Sequence, residues 1–112
     1  MPPDTHRFLV DLAGRNPADE ALWREALTHG STGEARDYQR LEFLGDRVLG
    51  MVIAEWLHEL EDADEGRLSQ RLNALVSRAT CAAVARSIGL GPHIRLGKQA
   101  RDDGGQDSDN IL

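Results

Sequence analysis

The stretch from Tyr38 to Leu60, YQRLEFLGDRVLGMVIAEWLHEL, decides the fold. Its apolar residues Leu41, Leu44, Val48, Leu49, Val52, Ile53, Trp56, Leu57 and Leu60 recur at spacings of three and four, which is the helical period rather than the two-residue alternation of a strand. Placed at 100° per residue, they cover most of the helix circumference and leave a narrow polar gap centred on Arg47, Glu55 and His58. A helix with so little polar surface is expected to run through the middle of its fold.

The flanks carry helix punctuation. The four prolines stand at positions 2, 3, 17 and 92, so nothing from Ala18 to Gly91 interrupts a helical backbone. A short helix is expected over Thr5–Leu12. Asn16 reads as the cap of a second, with Pro17 at its first position, Ala18, Leu22, Ala26 and Leu27 facing inward, and Gly30 as its stop. A polar linker, Ser31–Asp37, precedes Tyr38. Asp62 and Asp64 are capping candidates for a further helix, whose Leu68, Leu72, Leu75, Val76 and Ala79 share a face. Thr80 is expected to cap an alanine-rich helix that Gly89 ends. Arg101–Asn110 reads as a solvated loop, and Ile111–Leu112 as the start of something apolar. The fold class expected is all-α, in one domain over residues 1–112.

At 112 residues the chain has room for one core, burying roughly two-thirds of its unfolded surface. Aromatic residues are 4% against 40% hydrophobic overall, so that core must be built from Leu, Ala, Val and Ile. No apolar run is long enough for a membrane span, and Met1–Leu12 lacks the apolar segment of a signal peptide. The single cysteine, Cys81, has no internal partner, so a reducing cytoplasmic setting is the expectation. A net charge of −6 is opposite to that of proteins that grip nucleic acid by electrostatics alone. It fits either no nucleic-acid role, or acids gathered for cations with RNA affinity supplied elsewhere.

Two acids break the pattern of the long helix. Glu42 and Asp46 are four residues apart and project in nearly the same direction, along the line of Leu49, Ile53, Leu57 and Leu60. Like charges on a core-facing line cost on the order of several kcal/mol unless something positive meets them. An arginine from another helix satisfies them, with Arg24, Arg71 and Arg78 available. So does a hard divalent cation such as magnesium, which takes carboxylate oxygens. Gly45 and Gly50, each costing about 1 kcal/mol against alanine inside a helix, flank the acids and leave room for a close approach.

Residues 39–49, QRLEFLGDRVL, closely resemble the signature of the ribonuclease III family. The likeness continues in Ala26–Ser31, Asp64–Ser69, Arg71–Ser77, Leu96–Lys98 and Gly104–Leu112, in the family's order. It implies the helical bundle of a ribonuclease III endonuclease domain. The implied enzyme hydrolyses phosphodiester bonds of double-stranded RNA with magnesium, or manganese in its place, in ribosomal and messenger RNA processing. The resemblance makes Glu42 and Asp46 the catalytic metal ligands and gives Glu65 and Gln39 auxiliary places in the cleft. It makes Phe43 an interface residue of a homodimer. Taken without the resemblance, Glu65 reads as an acid complementing a helix dipole and Phe43 as core.

Two departures qualify the match. Gln39 stands where the family often has glutamate, which alters contacts at the cleft edge. The family's second ligand pair, an Asp and a Glu three apart on a closing helix, is expected beyond Leu112, as is a basic double-stranded-RNA-binding domain. With Glu42 and Asp46 alone, residues 1–112 are expected to be truncated before the closing helix, without most of the cutting power, and to bind RNA weakly. A non-catalytic helical dimerisation module is the alternative. A third reading is an acidic scaffold with an arginine locked onto Glu42 and Asp46. His6, His29, His58 and His93 are too scattered for a metal motif, and His29 reads as a capping or packing residue although the resemblance puts it near the cleft. Cys81 reads as core, Gly89–Gly91 as a helix stop, and Arg67, Arg71 and Arg78 as a solvated face.

Overall fold

A computed structural model describes residues 1–112 as six α-helices and three short 3-10 turns, with no strand. The helices are α1 (Pro3–Ala13), α2 (Glu20–Ala26), α3 (Gln39–Leu60), α4 (Glu65–Leu75), α5 (Arg78–Ile88) and α6 (Lys98–Asp102). The 3-10 turns cover Gly30–Thr32, Gly91–His93 and Gly105–Asp107. One isolated parallel bridge joins Thr28 to Arg95. The all-α expectation holds, and α3 matches the Tyr38–Leu60 reading to within a residue.

Several boundaries fall elsewhere than the sequence suggests, each for a local reason. The first helix is longer than Thr5–Leu12, because a proline is tolerated in an opening turn and Gly14 ends it at φ 74°, its N–H reaching the Val10 carbonyl. The second is capped by Asp19, not Asn16: the Asp19 carboxylate accepts the Leu22 N–H at 3.1 Å. It stops before Gly30 because the Leu27 carbonyl accepts the Arg95 N–H at 2.7 Å and Thr28 enters the bridge. Asp64 caps α4, as one of the two acids proposed for it. Ser77, not Thr80, caps α5; the Thr80 hydroxyl instead donates to the Ala74 carbonyl at 2.8 Å. The Arg101–Asn110 stretch is more ordered than a solvated loop. It holds the end of α6 and the turn Gly105–Asp107, and Arg86 ion-pairs with Asp109 while Arg78 donates to Asn110.

The core is small. Leu9, Leu57, Ala82, Ala85, Ile94 and Leu96 are its buried apolar residues. On α3 only Leu57 is buried, with Gly50 and Ile53 half-buried on the same stripe, and α4 packs back against the helix. Leu44, Val48, Met51, Val52, Trp56 and Leu60 are each 50–65% exposed. The expectation that α3 is enclosed is therefore corrected: within this chain only one stripe of it is covered. The same imbalance shows in the whole molecule. Its surface is 8077 Å², against about 6,100 Å² for a folded chain of its 12.3 kDa. That corresponds to burial of roughly 55% of the unfolded surface, not two-thirds. The radius of gyration, 15.7 Å, likewise exceeds the roughly 13 Å of a compact domain this long.

Glycines separate the packed half from the open half. A Cβ on Gly97 would collide with the Ser31 carbonyl, whereas nothing of this chain lies within 4 Å of a Cβ on Gly45 or Gly50. The close approach anticipated at those two helical glycines thus has no partner in this chain. Gly97→Ala is expected to cost about 1–3 kcal/mol by overpacking. Gly50→Ala should be neutral or stabilise by up to about 1 kcal/mol through helix propensity. Urea unfolding of the two variants measures both signs.

Candidate active site

The start of α3 is hung from the bridge segment. The Tyr38 N–H donates to the Thr28 carbonyl at 2.9 Å, and the Asp37 carboxylate accepts the Gln39 N–H at 3.1 Å. From there Glu42, Asp46, Gly50, Ile53 and Leu57 follow one line along the helix. The last three form the buried to half-buried stripe of α3. Glu42 and Asp46 lie where that line emerges from the packing, and both are exposed. The enclosed cleft expected around them is not formed by this chain.

None of the three candidate arginines meets the acids. Arg24 pairs with Glu34 at 3.7 Å, Arg71 with Glu61, and Arg78 bonds Asn110 at 2.8 Å. The locked-arginine reading therefore loses its required contact. Nor does the chain gather three or more His, Cys, Asp or Glu side chains in one place. Glu65 is the exposed first residue of α4, joined to the far end of α3 by the Glu61–Asp64 linker. Asp46 and Leu60 are separated by roughly 21 Å along the helix, so Glu65 belongs to the opposite end from the pair. The exposed Gln39 has its amide close to Gly30 and precedes Glu42 by less than one turn. Phe43 is 71% exposed, which removes its reading as core. It lines an open groove of about 980 Å³ with Leu22, Ala35, Arg36, Leu41 and Leu44.

Two features beside the acids had no counterpart in the sequence reading. The first is Tyr38, half-buried and stacked on His29 with ring centroids 5.5 Å apart and planes 15° from parallel. Burial raises its phenol pKa first, and the neighbouring Glu42 and Asp37 charges add to the rise. His29 has the packing role anticipated: Nδ1 accepts the Ser31 N–H at 3.1 Å, and the Ser31 hydroxyl accepts the Gly97 N–H at 2.9 Å. The second is a knot around Thr28, which is buried. Its hydroxyl donates to the Arg24 carbonyl at 2.6 Å and accepts from Arg95 at 2.8 Å, while Arg95 also pairs with Glu34 at 2.5 Å. The signal for Tyr38 was its position four residues before Glu42; the knot joins residues 67 apart and left no local pattern.

This frame is that of a known class. A family model described as ribonuclease-III-like matches residues 19–112, and the chain belongs to that family. It resembles the nuclease domain of ribonuclease III from Campylobacter jejuni, with a TM-score of 0.87 at 35% identity over 93% of this chain and 73% of that one. It is 61% identical over 100 residues to ribonuclease 3 of Zymomonas mobilis, covering 88% of this chain and 40% of that protein. To ribonuclease 3 of Rhodobacter capsulatus it is 49% identical over 112 residues, 97% of this chain and 49% of that protein. The chain thus spans about half or less of the length of these curated relatives. No helix is long and apolar enough to cross a membrane.

The knot makes the frame sensitive to acid. The hydrogen bond from Arg95, aided by the charges of Arg95 and Arg24, holds the Glu34 carboxyl below its ordinary pKa. A folded-state value below the unfolded one gives a contribution that is present above the unfolded value and lost as pH falls through the folded one. Glu34→Gln is therefore expected to lower the melting temperature near neutral pH. The difference from the unsubstituted chain should vanish once pH is below the lowered value, as melting followed over a pH series will read.

Proposed function

We propose that this chain carries part of the catalytic centre of a magnesium-dependent endoribonuclease that cleaves double-stranded RNA, with Glu42 and Asp46 as metal ligands. The observation that carries the reading is the state of those two acids. They lie on the core-facing line of α3, in a ribonuclease-III-like frame, and no basic side chain of the chain is committed to them. Two adjacent carboxylates free of arginine are the oxygen donors a hard cation takes, usually completed by water and substrate phosphate. Manganese suits the same donors.

Magnesium supplies Lewis acidity, acidifying a water and offsetting charge on the reacting phosphate. The chain's own part is to hold two negative charges on a rigid helix, one turn apart, where substrate and solvent both have access. The net charge of −6 is opposite in sign to that of chains that grip RNA by electrostatics alone, so weak duplex binding by these residues on their own is part of the reading. Glu65 at the far end of α3 and Gln39 beside Glu42 are proposed as auxiliary groups toward RNA. Ribosomal and messenger RNA are the proposed substrates and the cytoplasm the proposed setting.

We further propose a homodimer through Phe43. A phenylalanine 71% exposed on a rigid helix, beside an open groove, is the kind of anchor interfaces use. That same exposure favours the second reading, a dimerisation module without catalysis. One pair of substitutions separates them. In the protein of the complete reading frame, Asp46→Asn is expected to keep the helical circular dichroism and dimeric mass yet reduce magnesium-dependent cleavage of duplex RNA at least about a hundredfold. Glu42→Gln should lose less, with partial recovery at high magnesium. Cleavage at the unsubstituted rate by Asp46→Asn rejects the catalytic assignment and leaves the dimer module. Phe43→Asp is expected to shift the mass in analytical ultracentrifugation from dimer toward monomer.

A further inference from the structure

We propose that the cavity between α2, the Ile94–Gly97 segment and α6 binds a dianionic phosphate group, free or carried as a monoester, on Arg24, Arg95 and Arg101. No residue of α3 lines this space, so the proposal stands apart from the reading of Glu42 and Asp46.

The charge of this cavity runs against that of the chain. Acids outnumber lysine and arginine by 19 to 13 overall. Yet the space, about 600 Å³, is lined by three arginines and a single carboxylate, that of Glu34. Arg24 comes from the last turn of α2, Arg95 from the bridge segment and Arg101 from the last turn of α6. Like charges drawn together from three separate elements repel one another, and an anion between them relieves that repulsion. Glu34 does part of this, pairing with Arg95 at 2.5 Å and more loosely with Arg24 at 3.7 Å. The Arg101 guanidinium takes part in none of the chain's ion pairs or side-chain hydrogen bonds. Three guanidiniums less one carboxylate leave an excess of two positive charges, the complement of a phosphate dianion.

The donors suit the same group. A guanidinium presents its N–H groups as a planar fork that takes phosphate oxygens in pairs. Arg95 commits Nη1 to the buried Thr28 hydroxyl and to Glu34, which holds the side chain in place and leaves Nε and Nη2 unspent. A backbone donor stands beside it. Leu96 is buried and lines the same cavity, and no acceptor of the chain takes its N–H, although Arg95 and Gly97 on either side both donate theirs. A buried N–H without a partner calls for water or a ligand oxygen. Leu27, Pro92 and Ile94 complete the lining with apolar surface, against which an organic group esterified to the phosphate can rest.

The probes are inorganic phosphate, adenosine monophosphate and adenosine, titrated into the full chain and followed through the Thr32, Leu96 and Gly97 amide signals. Potassium chloride of equal ionic strength is the blank. Both phosphates are expected to give saturable shifts that adenosine and the blank do not. Tighter binding of the nucleotide than of phosphate assigns the apolar lining to an organic group; equal affinity makes free phosphate the ligand. Arg101→Ala removes a side chain that has no bond to break. It should keep the helical circular dichroism and weaken phosphate binding about tenfold, the scale of one charged hydrogen bond. Glu34→Gln, measured at a temperature where both chains are folded, should act in the opposite sense and tighten binding severalfold, because the competing carboxylate is gone. An arginine cluster with a purely structural role gives no such gain. Absence of saturable shifts, or shifts to which Arg101→Ala and Glu34→Gln make no difference, overturns the site.

Discussion

The rest of the structure depends on the pairing of Leu27–His29 with Arg95. Two backbone bonds cross it, Arg95 N–H to the Leu27 carbonyl and His29 N–H to the Arg95 carbonyl, and the Thr28 hydroxyl beneath is buried and bonded on both sides. This short contact ends α2, ties the last third of the chain to the first, and holds the Thr28 carbonyl from which α3 starts. A 22-residue helix placed at one end by so few bonds needs those bonds to be inflexible. Burial of Thr28 and the tight seat of Gly97 on Ser31 make them so, because an unmade backbone bond in that setting would go unsolvated.

Against that ordered junction stands a helix with far more apolar surface than its neighbours cover. Leu57 alone is buried on α3, with Gly50 and Ile53 half-buried on the same stripe, and α4 packs back against this helix. The acids occupy the same stripe one and two turns before Gly50, so the line that is buried at Leu57 is the line along which Glu42 and Asp46 point. The acid pair and the buried stripe share one line of one helix, and the transition between them happens within about a turn.

Much of this was legible in the sequence. The span of α3, the Asp64 cap, the Gly89 stop and the direction shared by Glu42 and Asp46 follow from period and capping chemistry, which act over a few residues. What escaped was set by contacts distant in sequence. Nothing local in Asn16–Asp19 says that the aspartate, not the asparagine, will cap α2. Nothing before Gly30 says that Arg95 will end that helix early. Periodicity likewise shows that α3 is apolar nearly all round, but not which part of that surface this chain covers. Tyr38 was read as a helix start because its value lies in its partners, His29 before it and Glu42 after it.

The position of the acid pair also limits how α3 can be enclosed. A side chain or helix laid along its core-facing line can stay dry over Ile53 and Leu57. Carried two turns further, it would strip water from two carboxylates, and an apolar cover there has nothing to offer in return. Any lid over this end must therefore stop short, bring cations, or leave a water-filled gap. The opening is thus a consequence of where two charges sit on a hydrophobic seam, before any substrate shapes it.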